Sequence, residues 1–169
     1  MGSSRHITIE HVVIASNQPY EKVLEGLASW LGSAQGWRET EQHVQALAAA
    51  QASWEQVTQA IERNLGTSDF TLFNTVEHTS LLTLAGKSSR AIQYSVGNPL
   101  LANHMSRLLP EVALYAPLRF VVYEDEAGKT FVAYDTVVSL LTQYQCEGVT
   151  QVAQVVEQKL EALLATVTR

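Results

Sequence analysis

At Asp69 the apolar residues of this 169-residue chain change their spacing, and that change limits the available folds more than any single motif does. Before it the period is helical. Val23, Leu24, Leu27, Trp30 and Leu31 recur at helical intervals behind Pro19, a favoured first-turn residue, and Gly32 ends the run. A polar joint over 33–38 precedes a longer helical pattern at about 39–65. There Val44, Leu47, Trp54, Val57, Ile61 and Leu65 share a stripe opposite Glu41, Gln45, Glu55, Gln59 and Glu62. After Asp69 the period is two. In "FTLFNTVEH", Phe70, Leu72, Val76 and His78 fall on one face, with Thr71, Phe73, Thr75 and Glu77 on the other.

The remaining elements follow the same two rules. "HITIEHVVIA" (6–15) is β-branched and reads as a strand, and "RAIQYSVG" (90–97) aligns Ile92, Tyr94 and Val96. A helix is expected from about Pro99 to Leu109. "PLRFVVYEDEAGKTFVAYD" (117–135) is a hairpin signal whose Gly128 supplies a positive-φ position. From Val149 to Val167 an amphipathic helix keeps Val152, Val156, Leu160, Leu163 and Val167 in register. The order is β-α-α-β-β-α-β-β-α. Strand pairs without an intervening helix imply an α+β fold, a mainly antiparallel sheet of about five strands with helices packed on it, and argue against a doubly wound nucleotide-binding fold. No repeat or linker divides residues 1–169, so a single domain is expected.

Composition narrows the function. Apolar residues make up 46% and charged residues 17%, which excludes a disordered chain. The net charge is −6 and the eleven Lys and Arg are scattered, so neither nucleic acid nor an anionic membrane surface is an expected partner. No apolar run reaches the ~18–20 residues that span a bilayer, and "MGSSRHITIE" has no apolar signal core. Cys146 is the only cysteine, which rules out an intrachain disulfide and suits a reducing cytoplasm. The low charge also points to surface covered by a second copy of the chain.

"SVGNPLLANHMSRLLPEV" (95–112) raises the question of a site. Gly97 permits a tight strand end, Asn98 is an N-cap candidate, and Pro99 at the first helical position loses no needed donor. As a strand-to-helix joint the motif is complete. As an anion site it is weakened, because Pro99 removes one donor and the glycine-rich run and lysine of a phosphate cradle are missing.

The segment 96–135 resembles the DUF302 family of domains of unknown function. The positions that carry the likeness are Gly97, Asn98, Pro99, Pro110, Glu111, Pro117, Tyr123, Glu124, Asp125 and Gly128. The resemblance implies a compact α+β domain of bacterial or archaeal type, often dimeric, and no established activity. Two departures stand out. The helical stretch at 39–65 looks like an insertion, and Asp135-Thr136-Val137 replaces the Asp-Pro that often follows the last strand.

For chemistry, His78, His104, Glu124 and Asp125 are the set to inspect, with His78 expected on the apolar side of its strand. Convergence would give an acid–base pair or a metal site. No His-x-x-x-His, His-x-His or Cys-x-x-Cys supports it, so neither a metal nor a cofactor is expected. No Gly-x-Ser-x-Gly elbow occurs, and Cys146 beside Glu147 reads as inert. The aromatics Tyr94, Phe120, Tyr123 and Tyr134, from a set that also includes Tyr115 and Phe131, come from adjacent strands and their approach. With His78, Asn98 and His104 they are the candidate ligand-binding residues, forming an apolar pocket with a few polar tips. The inserted helix, with Trp54, is expected to roof that pocket or to form a dimer face. The function expected is a non-enzymatic domain for a small apolar or amphipathic ligand, with a homodimer as partner state. The alternatives are a ligand-free interaction homodimer and a small enzyme or metal protein using His78 or His104.

Overall fold

The computed structural model describes residue 2 and residues 4–169. Five strands form one antiparallel sheet: β1 (His11–Ala15), β2 (Thr71–Glu77), β3 (Ala91–Gly97), β4 (Leu118–Glu124) and β5 (Thr130–Asp135), in the spatial order β1-β5-β4-β3-β2. The hairpin forms where "DEAG" placed it, with Gly128 at φ 76° and the Asp125 carboxylate accepting from the Ala127 and Lys129 amides. β1 is shorter than the sequence suggests. Its neighbour β5 ends at Asp135, so the extended residues ahead of His11 have no strand to pair with.

Cross-strand register fixes the two faces. Val12, Tyr134, Phe120, Tyr94 and Thr75 stand opposite one another in a single row across all five strands. That row lies on the covered side, where Tyr94, Phe120 and Tyr134 are buried. α1 (Tyr20–Trp30) and α7 (Glu147–Thr168) form the second layer, burying Val23, Leu27, Val156, Leu160 and Leu163 against Val122 and Val132. α5 (Pro99–Leu108) and the short α6 (Val137–Leu141) complete that layer beside α7. On the opposite side of the sheet the only buried strand residues are Thr71 and Gly97, paired at the end of β2 and β3.

Three sequence expectations need correcting. The stretch 39–65 is not one helix but two, α2 (Ala34–Ala49) and α3 (Trp54–Glu62), and α2 begins within the supposed joint because Ser33 caps it through the Gly36 amide. Gln51 at φ 53° breaks the run, and a Ser53/Gln56 capping box restarts it. The shared stripe therefore does not exist, and Trp54 is 55% exposed. A helix not foreseen, α4 (Thr79–Leu84), joins β2 to β3 with Leu81 and Leu84 exposed.

The third correction concerns His78. A β-bulge shifts the register between Leu72 and Asn74, so Leu72 lies opposite Val96 but Thr75, not Asn74, lies opposite Tyr94. One extra residue reverses the parity of everything after it. Val76 turns to the open side, and His78 is exposed where β2 gives way to α4.

Helix α2, with α3 packed on it, sits against β2, the edge strand that would otherwise offer its amides. Gly32 and Gly66 both donate their backbone N–H to the Phe70 carbonyl at 2.9 Å, and Gly32 accepts from the Leu72 amide. Only glycine fits these crossings. A Cβ at Gly32 would lie 1.7 Å from the Asn64 carbonyl oxygen, and one at Gly66 would lie 2.1 Å from that of Trp30. Among the described residues no helix is long and apolar enough to cross a membrane.

Candidate functional site

Where β3 hands over to α5, the backbone is held by one side chain. The Asn98 carboxamide oxygen accepts from the Leu100 amide at 2.9 Å and the Leu101 amide at 3.2 Å, which satisfies two of the free donors of α5. Its nitrogen donates to the Asp69 carbonyl at 3.0 Å, tying the turn to the start of β2. The Asp69 carboxylate in turn pairs with Lys159 of α7 at 2.6 Å. With Pro99 at the first helical position, this joint is fully satisfied as the sequence read it.

Beside the joint lies an apolar cleft of about 240 Å³. One wall is Gly97, Ala102 and Met105, from the turn and the inward side of α5. A second is the 3-10 run Pro110–Tyr115, which contributes Val112 and Tyr115, with Pro117 and Leu118 where β4 begins after the cis Ala116–Pro117 bond. Leu141 and Val156 close it from α6 and α7. Phe73 completes the lining. It sits at the bulge of β2, its ring edge is braced by Trp37 of α2 with centroids 4.9 Å apart, and a Cβ at Gly97 would come within 3.3 Å of it. The bulge thus re-aims an aromatic side chain, a common role of such irregularities. No residue of the 39–65 segment thought to roof a pocket with Trp54 lines the cleft, and Trp37, just ahead of it, meets the lining at Phe73.

Polar groups at this cleft are few. The Asn98 side chain is committed to its cap. The Tyr115 hydroxyl accepts from Gln143 Nε2 at 3.0 Å, which leaves its own proton free to donate. An arrangement of this kind can hold an apolar group and orient one acceptor.

Of the candidate ligand-binding residues, the structure brings only Asn98 to the cleft wall. Tyr94 and Phe120 stack at 5.1 Å on the covered face, with Tyr134 next in the row, and they are core. Burial pushes the Tyr94 phenol up to about 12, with the nearby Tyr20 adding to the shift. Tyr123 lies on the open face, stacked on Phe131 at 5.4 Å. His104 is exposed on α5 while its neighbour Met105 faces inward. Neither His78 nor His104 lines the cleft.

The acidic candidates are engaged elsewhere. Glu124 accepts two bonds from Arg90, at 2.6 and 2.8 Å, and Arg90 also binds Glu21 and lies 4.3 Å from the Tyr20 ring centroid. The bonds to Glu124 first, and to Glu21 second, raise the guanidinium's pKa. Among the described residues no three His, Cys, Asp or Glu are grouped as metal ligands would be.

The structure also shows pairs that spacing did not reveal. His11 Nδ1 and Asp135 Oδ1 are 2.8 Å apart, 124 positions apart in sequence, and both side chains are substantially exposed. Phe73, Ala102 and Val112 escaped notice because each is an ordinary apolar residue in its own segment, and Tyr115 was noted among the aromatics but not as a candidate ligand residue. The Gly-Asn-Pro turn and the later Ala-Pro step were the available signals.

A two-layer α+β domain with one open sheet face, and an apolar cleft beside a capped helix start, is the class these observations define. Residues 45–167 match the family model described as "Domain of unknown function DUF302", and the chain belongs to that family. Its fold is similar to the crystal structure of an uncharacterized conserved DUF302 protein from Bacillus stearothermophilus. The TM-score is 0.63 at 16% identity, covering 94% of this chain and 98% of that one. At that identity the likeness concerns the fold. No match was found among curated proteins.

Proposed function

We propose that this protein is a non-enzymatic binding domain that holds a small apolar or amphipathic molecule in the cleft beside the Gly97-Asn98-Pro99 turn. The observation that carries this reading is the cleft itself. Apolar side chains from β2, α5, the 110–117 segment, α6 and α7 converge on about 240 Å³, and the Tyr115 hydroxyl, which accepts from Gln143, keeps its own proton to donate. Lined space with few polar groups is how small-ligand sites are commonly made. What supports holding a molecule is the lining itself, which is mainly apolar, with the Asn98 side chain already engaged in its cap.

Ala102 offers the direct test, because it lines the cleft from a helix and has room to grow into it. Titration with a naphthalene-type fluorescent probe is expected to show saturable binding to the native protein. Ala102→Phe is expected to weaken that binding at least tenfold, while the melting temperature changes by no more than a few degrees. Equal probe affinity in both proteins would place the binding elsewhere and remove the proposal.

A further inference from the structure

We infer that the molecule held in the cleft is a carboxylate amphiphile, with its apolar chain in the cleft and its carboxylate on Arg119 at the mouth of a second hollow. The inference rests on the binding reading above and names the class of ligand. The second hollow, also about 240 Å³, lies against the same wall, since Tyr115, Pro117 and Leu118 line both. Val137 and Leu160 are buried on its inner side, while Arg119 and Asp135 are exposed at its mouth. No charged residue lines the first cleft, so a charged head group finds its partner only at the second.

Arg119 is the group free to take that head. Among the described residues it has no ion pair. Asp135 shares the hollow but is engaged on its far flank. Its Oδ1 is 2.8 Å from Nδ1 of His11 on β1, whereas β4, which carries Arg119, runs along the other side of β5. Arg119 directly follows Leu118 of the shared wall, and one residue of strand advances only ~3.4 Å. A flexible chain that rounds this wall therefore brings its head to the guanidinium. The planar guanidinium can donate two parallel hydrogen bonds to a carboxylate. One such cation beside an acid balances a single negative charge, which selects a carboxylate over a dianionic phosphate ester. Tyr115, on the shared wall, keeps its hydroxyl proton as a further donor.

Competition against a neutral naphthalene probe provides the test, with octanoate and octanol as ligands of equal chain length. Octanoate is expected to bind the native protein about tenfold more tightly than octanol, as a charge-assisted pair supports. High salt is expected to shrink that advantage. Arg119→Gln is expected to abolish it, and Arg119→Lys to retain part of it. The position is exposed, and melting temperatures equal to the native value show that each variant is folded. Octanoate no tighter than octanol on the native protein, an advantage that survives Arg119→Gln, or octyl phosphate tighter than octanoate would each overturn the inference while leaving the cleft as a binding site. A neutral probe that fails to bind the native protein at all would instead remove the binding reading, and this inference with it.

Discussion

Tyr94 keeps a titratable hydroxyl inside the sheet–helix interface, and burial raises its pKa to about 12 from the ordinary 10. A raised pKa means that the folded state holds the proton more tightly than the unfolded state. The associated stability is therefore complete below about pH 10 and is lost as pH climbs towards 12, on the order of 2 kcal/mol in total. Tyr94→Phe is expected to leave stability at neutral pH nearly unchanged and to flatten this alkaline decline. Urea unfolding at a series of pH values checks it, and an unaltered alkaline slope in the variant would contradict the assignment. Asn98 shows the opposite kind of residue, one whose role was plain in the sequence. A cap needs only the right side chain immediately before a proline-led helix, and that information is local.

At the scale of elements, the attachment of α2 and α3 to the β2 edge depends on two backbones touching at Gly32 and Gly66. Gly66→Ala forces a methyl group against the Trp30 carbonyl and the Gly32 amide, so the crossing has to open. A loss of roughly 2–3 kcal/mol is expected, seen in the melting temperature, with faster amide exchange at Leu72, whose partner is Gly32. Unchanged melting would show that the crossing is not under strain. The strand and helix types were largely readable, since alternation and the 100° stripe are periodic signals that survive without tertiary context. The short α4 was not, nor were two other features. The break between α2 and α3 was carried by Ser53 and Gln56, a capping box set inside an apparently continuous stripe, where adding up apolar positions hides it. The bulge at Phe73 has no residue signature of its own in "FTLFNTVEH". Parity counting carried Val76 and His78 to the wrong side, although Phe70 and Leu72 ahead of the bulge were assigned correctly.

Viewed as a whole molecule, the sheet divides the chain's aromatics between two tasks. The Tyr94–Phe120–Tyr134 row builds the core, and Tyr123 with Phe131 forms an apolar surface on the open side. The cleft lies at neither place. It occupies the end of the sheet, where β3 stops at Gly97, β4 starts after Pro117, and the bulge of β2 swings Phe73 inward. That arrangement depends on five segments far apart in sequence, so the turn was legible but its partners were not. The central claim is that ligand binding happens at this junction, and chemical-shift mapping tests it residue by residue. Titrating the isotope-labelled protein with the naphthalene probe is expected to shift the amides of Gly97, Ala102, Val112 and Leu118 together, leaving Val13, Val121 and Phe131 in place. Shifts confined to the open face, or none at saturating probe, would contradict it.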